Sequence, residues 1–137
     1  MSNAKVLIVA GSESDRPIVD KAEKVLREAG VDCTIEIASA HRTPDRVAEL
    51  ARGAEGAGYG VVIAAAGLAA ALPGVVAAHT SLPVIGLPVG AGPLKGVDAL
   101  LAIAMMPPGV PVAAVGIDSG ANAGYLALRI LGLTASR

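Results

Sequence analysis

The sequence predicts a three-layer α/β/α fold: one five-stranded parallel sheet with helices on both faces. Two observations lead there. Short apolar runs rich in Val, Ile and Ala alternate with segments whose apolar residues recur at helical spacing, and the alternation repeats five times along the 137 residues. Most of these runs are apolar at nearly every position, as strands covered on both faces are.

Lys5 to Ala10 is the first such run. Gly11-Ser12-Glu13-Ser14-Asp15 breaks it with turn and N-cap residues, and Pro17 suits the first turn of a helix. Ile18, Ala22, Val25, Leu26 and Ala29 make one apolar helical face, and Gly30 ends it. Cys33 to Ile37 alternates with period two, the pattern of an edge strand. Thr43 is an N-cap and Pro44 a first helical residue, with Val47, Leu50, Ala51 and Ala54 turned inward. Gly60 to Ala66 is a third strand, followed by a small-residue loop and a short helix through His79. Pro83 to Pro88 is a fourth strand, Gly96 to Ile103 a helix, Val112 to Ile117 a fifth strand and Ala121 to Leu131 the last helix. Five strands in one such domain favour the flavodoxin-like order 2-1-3-4-5, with ligands beyond the carboxyl ends of the strands where strands 1 and 3 meet.

Composition narrows the function. The chain is 53% hydrophobic with no Phe or Trp, so its core is built from small aliphatic side chains and needs close backbone packing or a subunit partner. A net charge of −1 gives no footprint for nucleic acid. The single cysteine, Cys33, excludes an internal disulfide and reads as strand filler in a reducing, cytoplasmic setting; Met1 to Ala10 has no secretory pattern. Val61 to Ala78 is long and apolar, but Gly67, Pro73 and Gly74 interrupt it, so it reads as strand, turn and helix rather than a membrane span. Nothing divides residues 1–137 into more than one domain. No cluster of Cys, His, Asp and Glu has metal spacing, and no dinucleotide or Walker fingerprint follows the first strand.

Three loops converge in the expected strand order: Gly11–Asp15, Ser39–Thr43 and Gly67–Leu72. Ser12 and Ser14 offer hydroxyls beside a helix N-terminus, where an anion is favoured. Asp15 can accept from ribose hydroxyls, and Arg42 can grip phosphate or carboxylate with its planar fork. Gly67, Ala69, Ala70 and Ala71 have little side chain and let a ligand approach the backbone. By themselves these are ordinary turns and caps.

Gly11-Ser12-Glu13-Ser14-Asp15, Ser39-Ala40-His41-Arg42-Thr43-Pro44 and Ala66 to Gly74 resemble, in order, three loops of the N5-carboxyaminoimidazole ribonucleotide mutases, also known as the catalytic subunit of phosphoribosylaminoimidazole carboxylase. Leu82 to Val89, Gly96 to Leu101, Met106 to Val112 and Ala121 to Gly124 extend the resemblance. It implies transfer of a carboxylate from nitrogen to ring carbon 4 of an aminoimidazole ribonucleotide, in purine biosynthesis, with no metal or organic cofactor. His41 would be the general acid–base, since an imidazole ordinarily titrates near working pH. Gly11, Ser12, Ser14, Asp15, Ser39, Ala40, Arg42, Gly67, Ala69, Ala70 and Leu72 would hold the ribonucleotide and carbon dioxide. Two positions depart from the family's third loop: Leu68 replaces its second Gly, and Ala71 replaces its His. The family also continues into a further C-terminal helix after the segment matching Leu131 to Leu133.

The resemblance leaves three readings open: an active mutase; a carboxylase using free carbon dioxide or another nucleotide; or a truncated or engineered oligomeric scaffold without turnover. Charge supports self-association independently. Between Gly56 and Ile117 the only charged side chains are Lys95 and Asp98, so the third and fourth helices are expected to face other subunits, in a homo-octamer if the resemblance holds.

Overall fold

In the computed structural model, which describes residues 4–133, a parallel sheet runs in the order β2-β1-β3-β4-β5. Its strands are β1 (Lys5–Ala10), β2 (Cys33–Ile37), β3 (Tyr59–Gly67), β4 (Val84–Val89) and β5 (Ala113–Ala114). The helices are α1 (Arg16–Glu28), α2 (Pro44–Gly53), α3 (Leu72–Ala78), α4 (Val97–Ala104) and α5 (Gly120–Ile130). The flavodoxin-like order is therefore as expected. The long apolar run divides into β3, a turn and α3, and among the described residues no helix is long and apolar enough to cross a membrane. The expectation about a missing C-terminal extension concerns chain beyond Leu133, outside the described residues.

Two aliphatic cores flank the sheet. Val6, Ile8, Ile63 and Ile85 face α1 and α5, while Leu7, Val9, Val62 and Ala64 face the side of α2, α3 and α4. With no Phe or Trp to fill space, the helices close the gap by approaching at glycine. A β-carbon on Gly120 would collide with the Ile18 carbonyl oxygen, and one on Gly124 would stand 3.0 Å from that of Ala22. Those two glycines let the backbones of α5 and α1 touch.

Three sequence expectations change. The inward face of α1 is Val19, Ala22, Val25 and Leu26; Ile18 is only partly covered and Ala29 is exposed. The fifth strand shrinks to Ala113–Ala114: Pro111 before it and Pro88 in β4 have no N–H to offer, and beyond Ala114 the chain stays tied to β4 by separate bonds, from the Val115 N–H to the Gly86 carbonyl and from the Asp118 N–H to that of Pro88. The third and fourth helices are unalike. In α3, Leu72, Pro73 and Val76 are spent on the protein's own core. In α4, Val97 and Leu101 stay more than half exposed, with Leu94 just before them and Met105, 77% exposed, just after.

Candidate active site

Beyond the carboxyl ends of β1, β2 and β3 the chain forms a cavity of about 410 Å³. Every residue proposed from sequence lines it: Gly11, Ser12, Ser14, Asp15, Ser39, Ala40, His41, Arg42, Gly67, Ala69, Ala70 and Leu72. Ala66, Leu68, Ala71 and Ala91 complete the lining. Ala91 was not foreseen. It comes from the loop after β4, whose Gly90-Ala91-Gly92-Pro93 text signals a turn but not its direction.

The first loop leaves β1 along the sheet, with the Gly11 N–H donating to the Ala65 carbonyl at 3.0 Å. Residues Glu13–Asp15 then form one turn of 3-10 helix capped by Ser12, whose hydroxyl accepts from the Ser14 N–H at 3.3 Å. The Asp15 N–H donates to the Ser12 carbonyl and the Arg16 N–H to that of Glu13, while Pro17 has none. The amides expected to meet an anion at the start of α1 are thus largely engaged within the turn. What the turn offers a ligand is the linked pair of hydroxyls on Ser12 and Ser14, 2.9 Å apart. Asp15 is 7% exposed, and burial raises its carboxyl above the usual aspartate range, partly offset by a backbone hydrogen bond at Ser12.

The second loop is a closed hydrogen-bonded unit. The Ser39 hydroxyl accepts from the N–H groups of His41 at 3.3 Å and Arg42 at 3.1 Å. The Thr43 hydroxyl accepts from the Ser39 N–H at 2.9 Å and lies 3.2 Å from the Ser39 carbonyl. Thr43 is the N-cap of α2 as expected, yet its side chain caps no helix amide; it ties the loop shut instead. The exposed side chains of His41 and Arg42 are left without hydrogen bonds or ion pairs among the described residues. Ser39 therefore acts mainly on its own loop, with only its hydroxyl proton free for a ligand. His79, at the end of α3, is not part of the cavity lining.

The third loop has no polar side chain. Its first turn is closed by the Ala70 N–H on the Gly67 carbonyl at 3.0 Å. Leu68 has φ 54° and Ala70 φ 33°, in the region that favours glycine. Gly67 is confined from the side: a β-carbon there would lie 3.2 Å from that of Ala91.

A family model described as AIR carboxylase matches residues 5–137. The chain belongs to the AIR carboxylase family. Within that family it is 54% identical over 129 residues to an N5-carboxyaminoimidazole ribonucleotide mutase of Pyrococcus abyssi, an overlap of 94% of this chain and 74% of that protein. It is likewise 54% identical over 129 residues to the mutase of Thermotoga maritima, covering 94% and 75%. A phosphoribosylaminoimidazole carboxylase of Vigna aconitifolia is 49% identical over 91% of this chain but only 22% of that longer protein. The crystal structure of Treponema denticola PurE superposes with a TM-score of 0.84 at 30% identity, covering 94% of this chain and 80% of that one. The flavodoxin-like fold expected from the strand pattern and the mutase resemblance carried by the loops therefore stand. The positive φ of Leu68 makes its position one that glycine would suit.

Proposed function

We propose that this protein interconverts N5-carboxyaminoimidazole ribonucleotide and 4-carboxy-5-aminoimidazole ribonucleotide, as a step of purine biosynthesis, in the cytoplasm. The observation that carries the reading is the cavity itself: one polar wall bearing His41, Arg42 and the Ser12–Ser14 hydroxyls, facing one wall of alanines. In this reading Arg42 and the two serines hold the ribonucleotide, with Asp15 beneath them placed for a ribose hydroxyl. His41, protonated, gives its proton to the exocyclic nitrogen as the N–C bond breaks and carbon dioxide forms. Ring carbon 4 then attacks the carbon dioxide, and the neutral imidazole removes the proton from that carbon. The proton lost in the first half returns in the second, so the reaction is an isomerisation and consumes nothing. No metal or organic cofactor enters this scheme. The apolar wall would keep the imidazole ring and carbon dioxide from water. A spectroscopic assay with the carboxyamino ribonucleotide tests the reading: conversion to the carbon-4 carboxylate supports it, and its absence sinks it.

A second reading, carboxylation of free aminoimidazole ribonucleotide, is favoured by Ala71, which puts no side-chain donor in the cavity, and by the name of the Vigna relative. Dependence of the rate on added carbon dioxide, with no turnover of the carboxyamino compound, would select it. For assembly we infer a homo-octamer in which the exposed stripe of Val97, Leu101 and Met105 packs against further copies of the chain. Leu101→Glu should leave the fold intact and dissociate the assembly in light scattering. An undisturbed oligomer would place the contact elsewhere.

A further inference from the structure

Leu68 combines three properties that rarely coincide. It lines the cavity, it is 52% exposed, and its backbone has φ 54°. The first corner of such a turn suits glycine, and an ordinary side chain held there stores local strain. The side chain is also engaged. Its Cδ2 lies 2.6 Å from where a β-carbon would stand on Gly92, so the two loops meet at that point. Gly92 is suited to its own φ of 69°, and its lack of a side chain is what lets the end of Leu68 settle against it. One residue earlier in each loop, the Gly67 α-carbon faces Ala91, leaving only 3.2 Å for an added β-carbon. The isobutyl group thus spans the rim between the loop after β3 and the loop after β4, above a wall of alanines.

We propose that Leu68 is a specificity-determining rim residue, which closes the cavity against the loop after β4 and sets how completely carbon dioxide is retained during the transfer. The inference rests on the mutase reading above. In that reading the N–C bond breaks with its electron pair left on nitrogen, which is protonated, and carbon dioxide is free until carbon 4 attacks it. Any that escapes leaves aminoimidazole ribonucleotide behind. Any that enters from solution carries the bulk isotope into the product. A small apolar molecule is confined by apolar cover, and glycine at position 68 would remove that cover while relaxing the backbone.

The test is to run the isomerisation in ¹³C-bicarbonate with carbonic anhydrase and to read ¹³C in the carbon-4 carboxylate per turnover, after subtracting the enzyme-free blank. Leu68→Gly and Leu68→Ala should each raise label incorporation at least about twofold over the parent. Leu68→Met, which restores a long apolar side chain, should bring it back down. Folding is checked by thermal melts, and the glycine variant relieves the left-handed strain rather than adding to it. If all variants isomerise with the parent's label content, Leu68 does not retain carbon dioxide and the proposal is overturned while the mutase reading stands. If the parent itself fails to convert the carboxyamino compound, the mutase reading falls and takes this inference with it.

Discussion

The two walls of the cavity are held in place by different physics. The wall formed by residues 39–43 is fixed by hydrogen bonds from its own side chains: Ser39 secures the amides of His41 and Arg42, and Thr43 secures Ser39. None of its residues has a positive φ. The opposite wall, residues 67–71, has no polar side chain, places Leu68 and Ala70 at positive φ, and is braced by Ala91 and Gly92 of the next loop. The first wall is preorganised by polar satisfaction and so can present His41 and Arg42 unpaired among the described residues. The second has no side-chain donors, and its shape comes from backbone conformation and packing. In the proposed mutase, chemistry and confinement would fall to separate loops.

The sharpest way to break this division is at His41. If the polar wall carries the proton, His41→Asn should lower turnover by roughly 10²–10⁴-fold, the range for a general acid–base, with little change in ribonucleotide affinity. The melting temperature should hold, because the loop bonds the His41 amide and not its ring. A variant that turns over like the parent would move the proton transfer to another group. Arg42→Lys comes next. Lysine keeps the charge and loses the planar fork, so calorimetric affinity for aminoimidazole ribonucleotide should fall about five- to tenfold, on the order of 1 kcal/mol. Unchanged affinity would leave phosphate binding to the Ser12 and Ser14 hydroxyls.

How legible each wall is in the sequence follows from the same contrast. The polar side chains sit in short motifs, so Ser12, Asp15 and Arg42 could be offered as ligand contacts from their chemistry, whereas the role expected of His41 came only with the resemblance of Ser39 to Pro44 to the mutase loop. Sequence could not say that the Ser39 and Thr43 side chains are used inside their loop, since either could equally serve a ligand or a helix amide. The apolar wall was legible as a run of small residues, yet Ala91 was invisible because it reaches the cavity only through the path of the loop after β4. The uncharged helices show the same limit. Absence of charge marked α3 and α4 together, but burial separates them: Val76 is 1% exposed inside the core and Leu101 is 56% exposed. A substitution at Val76 would therefore test folding and not assembly. Fold order was more accessible, because apolar strands at the sheet centre and an alternating one at its edge leave a pattern in the residues themselves.

Ser39→Ala sharpens the comparison at smaller cost. It removes the acceptor for two loop amides, and a lost hydrogen bond at a partly exposed site is worth on the order of 1 kcal/mol, or about 4 °C in melting temperature for a chain of this size. If the loop exists to aim His41 and Arg42, kcat/KM should fall further than the stability loss accounts for at a temperature where the variant is fully folded. A stability loss with kinetics unchanged would mean that His41 and Arg42 are positioned without Ser39.

The smallest expected effect lies where the walls meet. Asp15 belongs to the loop after β1 and is buried, and a β-carbon on Gly11 would lie 4.0 Å from both its carboxylate and the side chain of Leu72. Burial raises its pKa in the folded protein, so the unliganded fold binds that proton more tightly than the unfolded chain does. The sign follows. The stability conferred by protonation is fully present below the ordinary aspartate pKa and is lost as pH rises through the raised one. At neutral pH an ionised Asp15 is then a small burden on the empty protein. Asp15→Asn should melt above the parent at pH 7, and the gap should close as the pH is brought below the usual carboxylate range. Ribonucleotide should reverse the order, because a ribose hydroxyl donating to the ionised carboxylate favours the parent and has a weaker acceptor in the amide. Melting curves at two pH values, with and without aminoimidazole ribonucleotide, read both parts. If the ligand raises the two melting temperatures equally, Asp15 does not contact the ribose and its burial serves only the turn between β1 and α1.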